Sequence, residues 1–395
     1  MTRQPVLITG IGLVTSLGEG PEANWAALSD PAGTPVLDET GFAPFPVHPL
    51  PALNLDRQIP KKGDQRQMEP WQRLGTYAAG LALDHANARD LVADMHLIVA
   101  AGGGERDIAL DEAVAGELAS AANPGPLLNE RLANGLRPTL FLAQLSNLLA
   151  GNISIVHGVT GSSRTFMGEE LAAADSVRIA AERLAEGRGG IALAGGAFVA
   201  ARWDMLMLYK PGGVLLEDNW KPISERNGGG LVLGGMAAFL VLETEAHAAA
   251  RGARALARLD GVMTDASRRR APGDVRASLD GLWSRLAPRR AAGTLGVISG
   301  ATGADPATTE EQGFVAALGA DAVRTPASRI GHGVEAAFPA HVALAALALS
   351  QGAMPAPLDP ADTGDAAPEV MLVTGVGQWR GEALALLSPV SGATP

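Results

Sequence analysis

Five short apolar segments, each running into glycine, set the frame for this chain: Val6–Gly10, His96–Gly102, Ile191–Gly196, Leu295–Gly300 and Met371–Gly375. Apolar runs of this length bounded by turn residues read as buried strands. Between them lie stretches of helical character, Trp71–Ala88, Glu170–Glu186 and Glu335–Ser350. Alternation of strand and helix predicts an α/β fold of largely parallel sheets covered by helices. Another strand, Ala237–Glu243, leads into the Ala-rich helical Thr244–Arg251 and then Gly252, a seam between two halves, 1-245 and 246-395. The Pro-rich stretches Pro31–Pro51 and Pro355–Pro368 are expected to be surface connections. With 395 residues, 47% of them hydrophobic, the chain can bury one large core or two fused ones.

Charge and motif content then remove whole classes of function. The formal net charge is −11 and the arginines are scattered, which argues against a nucleic-acid partner. An acidic protein can still meet an acidic carrier through a local basic patch. The longest apolar stretches, such as Ala343–Leu349, fall short of the roughly 20 residues that span a bilayer. The chain enters the strand-like Val6-Leu7-Ile8-Thr9 with no basic segment before it, so a cytoplasmic protein with no membrane association is expected. Gly10-Ile11-Gly12 misses the dinucleotide fingerprint, because Thr15 stands where the third glycine belongs, and it reads as a tight structural turn. Seven histidines stand apart, and the nine residues between His332 and His341 do not make them helical neighbours, so neither a metal nor another cofactor is expected. Cysteine is absent, which excludes disulfides, thiolate metal sites and a cysteine nucleophile.

The region Asn147–Val177 carries the most chemistry. It reads as a strand, a Gly-rich turn, a second short strand and an abrupt helix that opens on Glu169 and Glu170. A helix N-terminus favours negative charge, so an acidic first turn on any surface helix would look the same. The apolar positions that follow, Leu171, Ala172, Ala173, Val177, Ile179 and Ala180, instead describe a buried helix, where paired carboxylates are less ordinary.

In order and spacing these pieces resemble the β-ketoacyl-acyl-carrier-protein synthases of the thiolase superfamily over nearly the whole chain. The segments that carry the resemblance are VLITGIGLVTSLG, FLAQLSNLLAGNISIVHGVTG, GGIALAGGA, AAFLVLETEAHAAARGA, RIGHGVEAAF and VTGVGQW. The resemblance implies a duplicated thiolase-like fold, a five-layer α-β-α-β-α sandwich, whose first half, 1-245, carries the nucleophile elbow and whose second half is 246-395. Counting from Gly161, the family's cysteine falls on Glu170, with Glu169 before it. The first catalytic histidine falls on Gly300 and the lysine on Ala327, and a buried acid near the end of the first half falls on Gly235. The gating phenylalanine of the C-terminal loop falls on Val376, and His332 alone survives of the catalytic set.

Condensation needs a thiolate to hold the acyl chain and two imidazoles at the reacting carbonyl, so no catalytic residues are expected here. Glu169-Glu170 resembles the Glu-Gln pair of chain length factors, the inactive subunits of heterodimeric ketosynthases. With Met207-Leu208-Tyr209 it is also similar to ketosynthase-like proteins of very-long-chain fatty acid clusters, although Ser162 stands where those have proline. The resemblance implies a condensation-inactive subunit that pairs with an active ketosynthase, or with itself, around Ser163–Phe166, and works with an acyl carrier protein. Asn147, Leu148, Met167 and Val376 would then shape or gate the acyl tunnel. The alternative is a malonyl-carrier decarboxylase supplying primer units, which the loss at Gly300 and the negative charge of Glu170 oppose. A third reading is a self-associating protein with an unrelated binding role.

Overall fold

The computed structural model describes residues 3–137 and 140–390. Five strands form the first half: β1 (Val6–Thr15), β2 (His96–Ala101), β3 (Ser163–Met167), β4 (Ile191–Phe198) and β5 (Met236–Thr244). Five more form the second: β6 (Ala257–Asp265), β7 (Leu295–Ile298), β8 (Ala322–Arg324), β9 (Val370–Val376) and β10 (Glu382–Ser388). Numbered within each half, the spatial order is 3-2-4-5-1 both times. Strand directions repeat as well, with the first two pairings of each series parallel and the last two antiparallel. The sheets are therefore mixed rather than largely parallel. The two halves meet where β1 pairs antiparallel with β6 over Val6–Ile8.

Helices fill three layers around these sheets. On the outer face of the first sheet lie α1 (Pro70–His85) and α2 (Leu148–His157). Between the sheets lie α3 (Glu169–Ala185) and, after the short α4 (Trp203–Tyr209) outside this layer, α7 (Ala337–Gln351), while α5 (Asp274–Leu286) and α6 (Ala307–Leu318) cover the second sheet. The period of two along each strand splits its side chains between layers. Leu97 and Val99 pack outward with Trp71 and Tyr77, whereas Ile98 and Ala100 face α3 in the middle layer. In the second half Leu372 joins Leu279 and Phe314 outside, and Met371 and Val373 face inward. This is the α-β-α-β-α sandwich expected. A helix between two sheets must be apolar all round, and residues 337–349 of α7 are all buried. The run Val334–Gln351 is long and apolar enough to cross a membrane by length and composition, but its place is this middle layer.

Three local expectations change. Gly10 and Gly12 sit inside β1, not in a turn after it: a Cβ on Gly12 would lie 1.9 Å from the Ala78 carbonyl oxygen, so these glycines let α1 press onto the strand. The stretch expected as a strand after Asn147 is α2, with Leu149, Ala150, Ile153 and His157 buried at helical spacing. Its β-branched residues suggest a strand, but packing decides, and Gly158 at φ 78 ends the helix. The Pro31–Pro51 stretch is not all surface, since Val47–His48 pairs with Leu233–Gly234 and His48 is fully buried. Burial, followed by the charge of Arg226, pushes the His48 imidazole down to about 3.

Candidate functional site

The site forms where β3 turns into α3. Gly168 (φ 119) and Glu169 (φ 32) both take positive φ, which forces an abrupt reversal and delivers Glu170 to the first turn of a buried helix. Glu170 is 8% exposed. From the second half, the segment after the helical turn Ala327–Ile330 brings His332 to it. The backbone of His332 is fixed by hydrogen bonds with Val232 and Gly234, and its Nε2 lies 2.8 Å from Glu170 Oε1.

Glu170, Gly300, His332 and Val376 line one cavity of about 20 Å³, together with Phe338 and His341. That is room for about one water. Spacing along the chain keeps His341 apart from His332, yet the turn Val334–Ala336 folds back and brings both rings to the cavity. No partner among the described residues bonds His341 Nε2. Burial, then the neighbouring His332, pushes the His341 imidazole down to about 3, so it is neutral near pH 7.

At Gly300 the backbone is sealed. A Cβ there would lie 2.5 Å from the Thr374 carbonyl oxygen and 2.9 Å from Gly375 Cα. The Gly300 N–H donates to Thr374 Oγ1 at 2.7 Å, and Thr374 and Ser299 both donate to the buried Glu311. Burial pushes the Glu311 carboxyl up. Ala327 is buried but does not line the cavity, and Gly235 lies against Leu50 just before β5. The arrangement can hold a proton between Glu170 and His332. It has no nucleophile able to form a thioester and no space for a second imidazole at Gly300.

Asn147, Leu148 and Met167 do not reach this cavity. They gather at the end of β2: Met167 pairs in register with Ala101 and is 71% exposed, and Ser146, just before Asn147, donates to the Gly102 carbonyl at 2.8 Å. Beside them is a second pocket of about 30 Å³, lined by Gly102–Gly104, Phe198, Arg202, Met205 and Glu335. Nothing in the sequence pattern points to Glu335. Burial, reinforced by the charges of Glu170 and Glu169 and opposed by its own backbone N–H and by Arg202, pushes its carboxyl up to about 7. The same acids, behind burial, hold the Tyr209 hydroxyl above its usual range. Over the cavity, the loop 377–381 is clipped by Arg269, which donates to the carbonyls of Gly377 and Gln378 at 2.6 and 2.9 Å. Trp379 of this loop stacks on Tyr209, with centroids 5.0 Å apart.

Fold and site together define a layered α/β scaffold in which the buried first turn of the helix after β3 carries a carboxylate. The profile of the β-ketoacyl synthase N-terminal domain matches residues 3–248. The chain belongs to the β-ketoacyl synthase family. It is 28% identical over 273 residues to nodulation protein E of Rhizobium leguminosarum bv. trifolii, covering 65% of this chain and 62% of that protein. It is 26% identical over 271 residues to 3-oxoacyl-[acyl-carrier-protein] synthase 2 of Vibrio harveyi, covering 66% and 63%. The matched region thus spans less than two thirds of either relative. Among solved structures, the ishigamide ketosynthase/chain length factor superposes with a TM-score of 0.81 at 21% identity, covering 98% of this chain and 100% of that one.

The sealed backbone gives a first expected outcome. Glu170→Cys alone forms no ketoacyl product from acyl- and malonyl-carrier, and adding Gly300→His lowers the unfolding midpoint instead of restoring condensation. Product formation by the double variant would show that the Gly300 backbone opens. A second concerns Glu335, raised from 4.5 to about 7. Between those values the folded chain keeps a proton that the unfolded chain loses, so stability falls as pH rises through that window. Glu335→Gln should therefore stabilise the protein by about 3 kcal/mol at about pH 8 and by far less at about pH 5, measured by denaturant melts. An equal effect at both pH values would contradict the assignment.

Proposed function

We propose that this chain is a condensation-inactive subunit that pairs with a cysteine-bearing β-ketoacyl synthase in carrier-bound acyl chain elongation, in the cytoplasm, and helps to shape the acyl tunnel. One observation carries the reading: at the elbow a buried carboxylate, Glu170, engages the one remaining histidine of the catalytic set, while Gly300 leaves no room for the other. Such a site does not turn over, yet the whole fold around it is intact. The chain-length-factor-type role draws support from the elbow's acidic pair and from the likeness to the ishigamide ketosynthase/chain length factor.

The outer edge of the first sheet supports the partnership. Among the described residues β3 pairs only with β2, and its residues are largely exposed or half-buried. A bare strand edge invites pairing with another chain. Met167, at its end, and Asn147 and Leu148 nearby would then stand where a tunnel passes between subunits. Val376 would close the inner cavity in place of a gate. Arg268 and Arg380, exposed on an open groove of about 490 Å³ beside Glu169 and Trp379, form no ion pair among the described residues. They suit an acidic carrier docking at the mouth. Malonyl-carrier decarboxylation is the weaker reading, because a substrate carboxylate would meet Glu170 in a cavity that holds one water.

The expected outcome is that the purified chain, given acyl- and malonyl-carrier, releases no carbon dioxide. Co-expressed with its ketosynthase, bulky substitutions at Leu148 and Met167 shift the product length without abolishing turnover. Robust carbon dioxide release by the chain alone would favour the decarboxylase. Unchanged product length with an intact complex would remove the tunnel-shaping role.

A further inference from the structure

Among the described residues Glu335 is a buried acid with no counterpart for its charge. Its residue is 6% exposed, and no other described residue donates a hydrogen bond to its carboxylate. It sits on the turn Val334–Ala336 with its carboxylate against Gly102, where a Cβ would lie 2.8 Å from Oε1. The charges around it do not balance. Glu170 and Glu169 add to its potential. The described cation that faces it, Arg202, is committed to Asp204, at 3.0 Å through Nε, and to the Gly104 carbonyl at 2.8 Å, with Glu105 at 3.9 Å. An acid in this state keeps its proton unless a cation arrives to hold its charge.

The pocket over Glu335 is open to the surface at Gly103. Apolar side chains stand on the elements that frame it. Met207 and Leu208 are exposed on α4, the helix that also supplies Met205 to the pocket wall. Phe141, 70% exposed, lies on the helical turn Leu140–Ala143, which Gln144 ties to the Glu105 carbonyl and Ser146 to that of Gly102. Met167 completes the frame. A charged pit within an exposed apolar border has the composition of an interface anchor point, where arginine is favoured and surrounding contacts exclude water. A volume of about 30 Å³ takes the head of one long side chain, or two waters.

We propose that this pocket is a socket for an arginine or lysine side chain of the partner ketosynthase, which enters past Gly103 between Met205 and the Gly102–Gly104 backbone and pairs with Glu335. The proposal rests on the heterodimer reading and gives it a specific contact. The added cation would neutralise Glu335 and relieve its repulsion with Glu170 and Glu169. Pairing would therefore reach the elbow, one layer inside the interface.

The test uses the co-expressed, purified complex, with wild type, Glu335→Gln and Glu335→Asp compared by dissociation rate at fixed salt. Loss of one member of a buried charge pair acts mainly on dissociation. The Gln variant should dissociate at least about tenfold faster, with the Asp variant nearer to wild type because it keeps the charge. Equal dissociation of wild type and the Gln variant overturns the socket and leaves the partnership standing. A wild-type chain that captures no ketosynthase overturns both. Should the Gln variant weaken pairing through misfolding, the Asp variant would fail equally, and that outcome also counts against the socket.

Discussion

The 2.8 Å contact between Glu170 and His332 joins the two halves of the molecule at the point where both are most constrained. One partner opens a helix packed between two sheets, and the other is held by backbone bonds to the segment before β5. A buried carboxyl against a buried imidazole is tolerable because each gives the other a hydrogen-bond partner. The cavity beside the pair has room for about one water, burial and then His332 keep His341 neutral, and burial, reinforced by Glu170 and Glu169, raises the Glu335 carboxyl to about 7.

On the reading proposed above, inactivity rests on more than the missing thiol. Had only the nucleophile changed, the neighbouring position would still accept an imidazole. Here the Thr374 carbonyl oxygen and Gly375 occupy the space where a side chain at residue 300 would begin. The hydrogen-bonded set of Gly300, Thr374, Ser299 and Glu311 holds that closure in place. What remains of the condensing enzyme is its architecture, which is what an associated subunit would need. The two features facing outward, the edge strand β3 and the charged pocket over Glu335, lie on the same side of the first sheet as Met167.

Much of this was legible in the sequence, for identifiable reasons. Strands that end in glycine announced β2, β4, β7 and β9, because neighbouring strands and the Val334–Ala336 turn come close there: a Cβ on Gly196 would lie 2.4 Å from the Glu335 carbonyl oxygen and one on Gly300 2.5 Å from that of Thr374. The acidic pair could be placed on a buried helix because the residues after it are apolar. The repeated order 3-2-4-5-1 was not legible, since strand pairing between distant segments leaves no local pattern. The α2 stretch misled because Ile153, Ile155 and Val156 carry strand propensity while their neighbours bury at helical spacing. His341 escaped because its approach to His332 depends on one folded-back turn. Glu335 escaped because its isolation is visible only once Gly102 lies against it.

Everything proposed for the site assumes that this chain persists as half of a mixed dimer and not as an enzyme by itself. Native mass spectrometry of the chain co-expressed with a cysteine-bearing ketosynthase of the same system tests that assumption most directly. A one-to-one mixed dimer, which does not exchange into two homodimers, is expected as the dominant species. A stable homodimer of this chain, with the ketosynthase recovered separately and fully active, would contradict it.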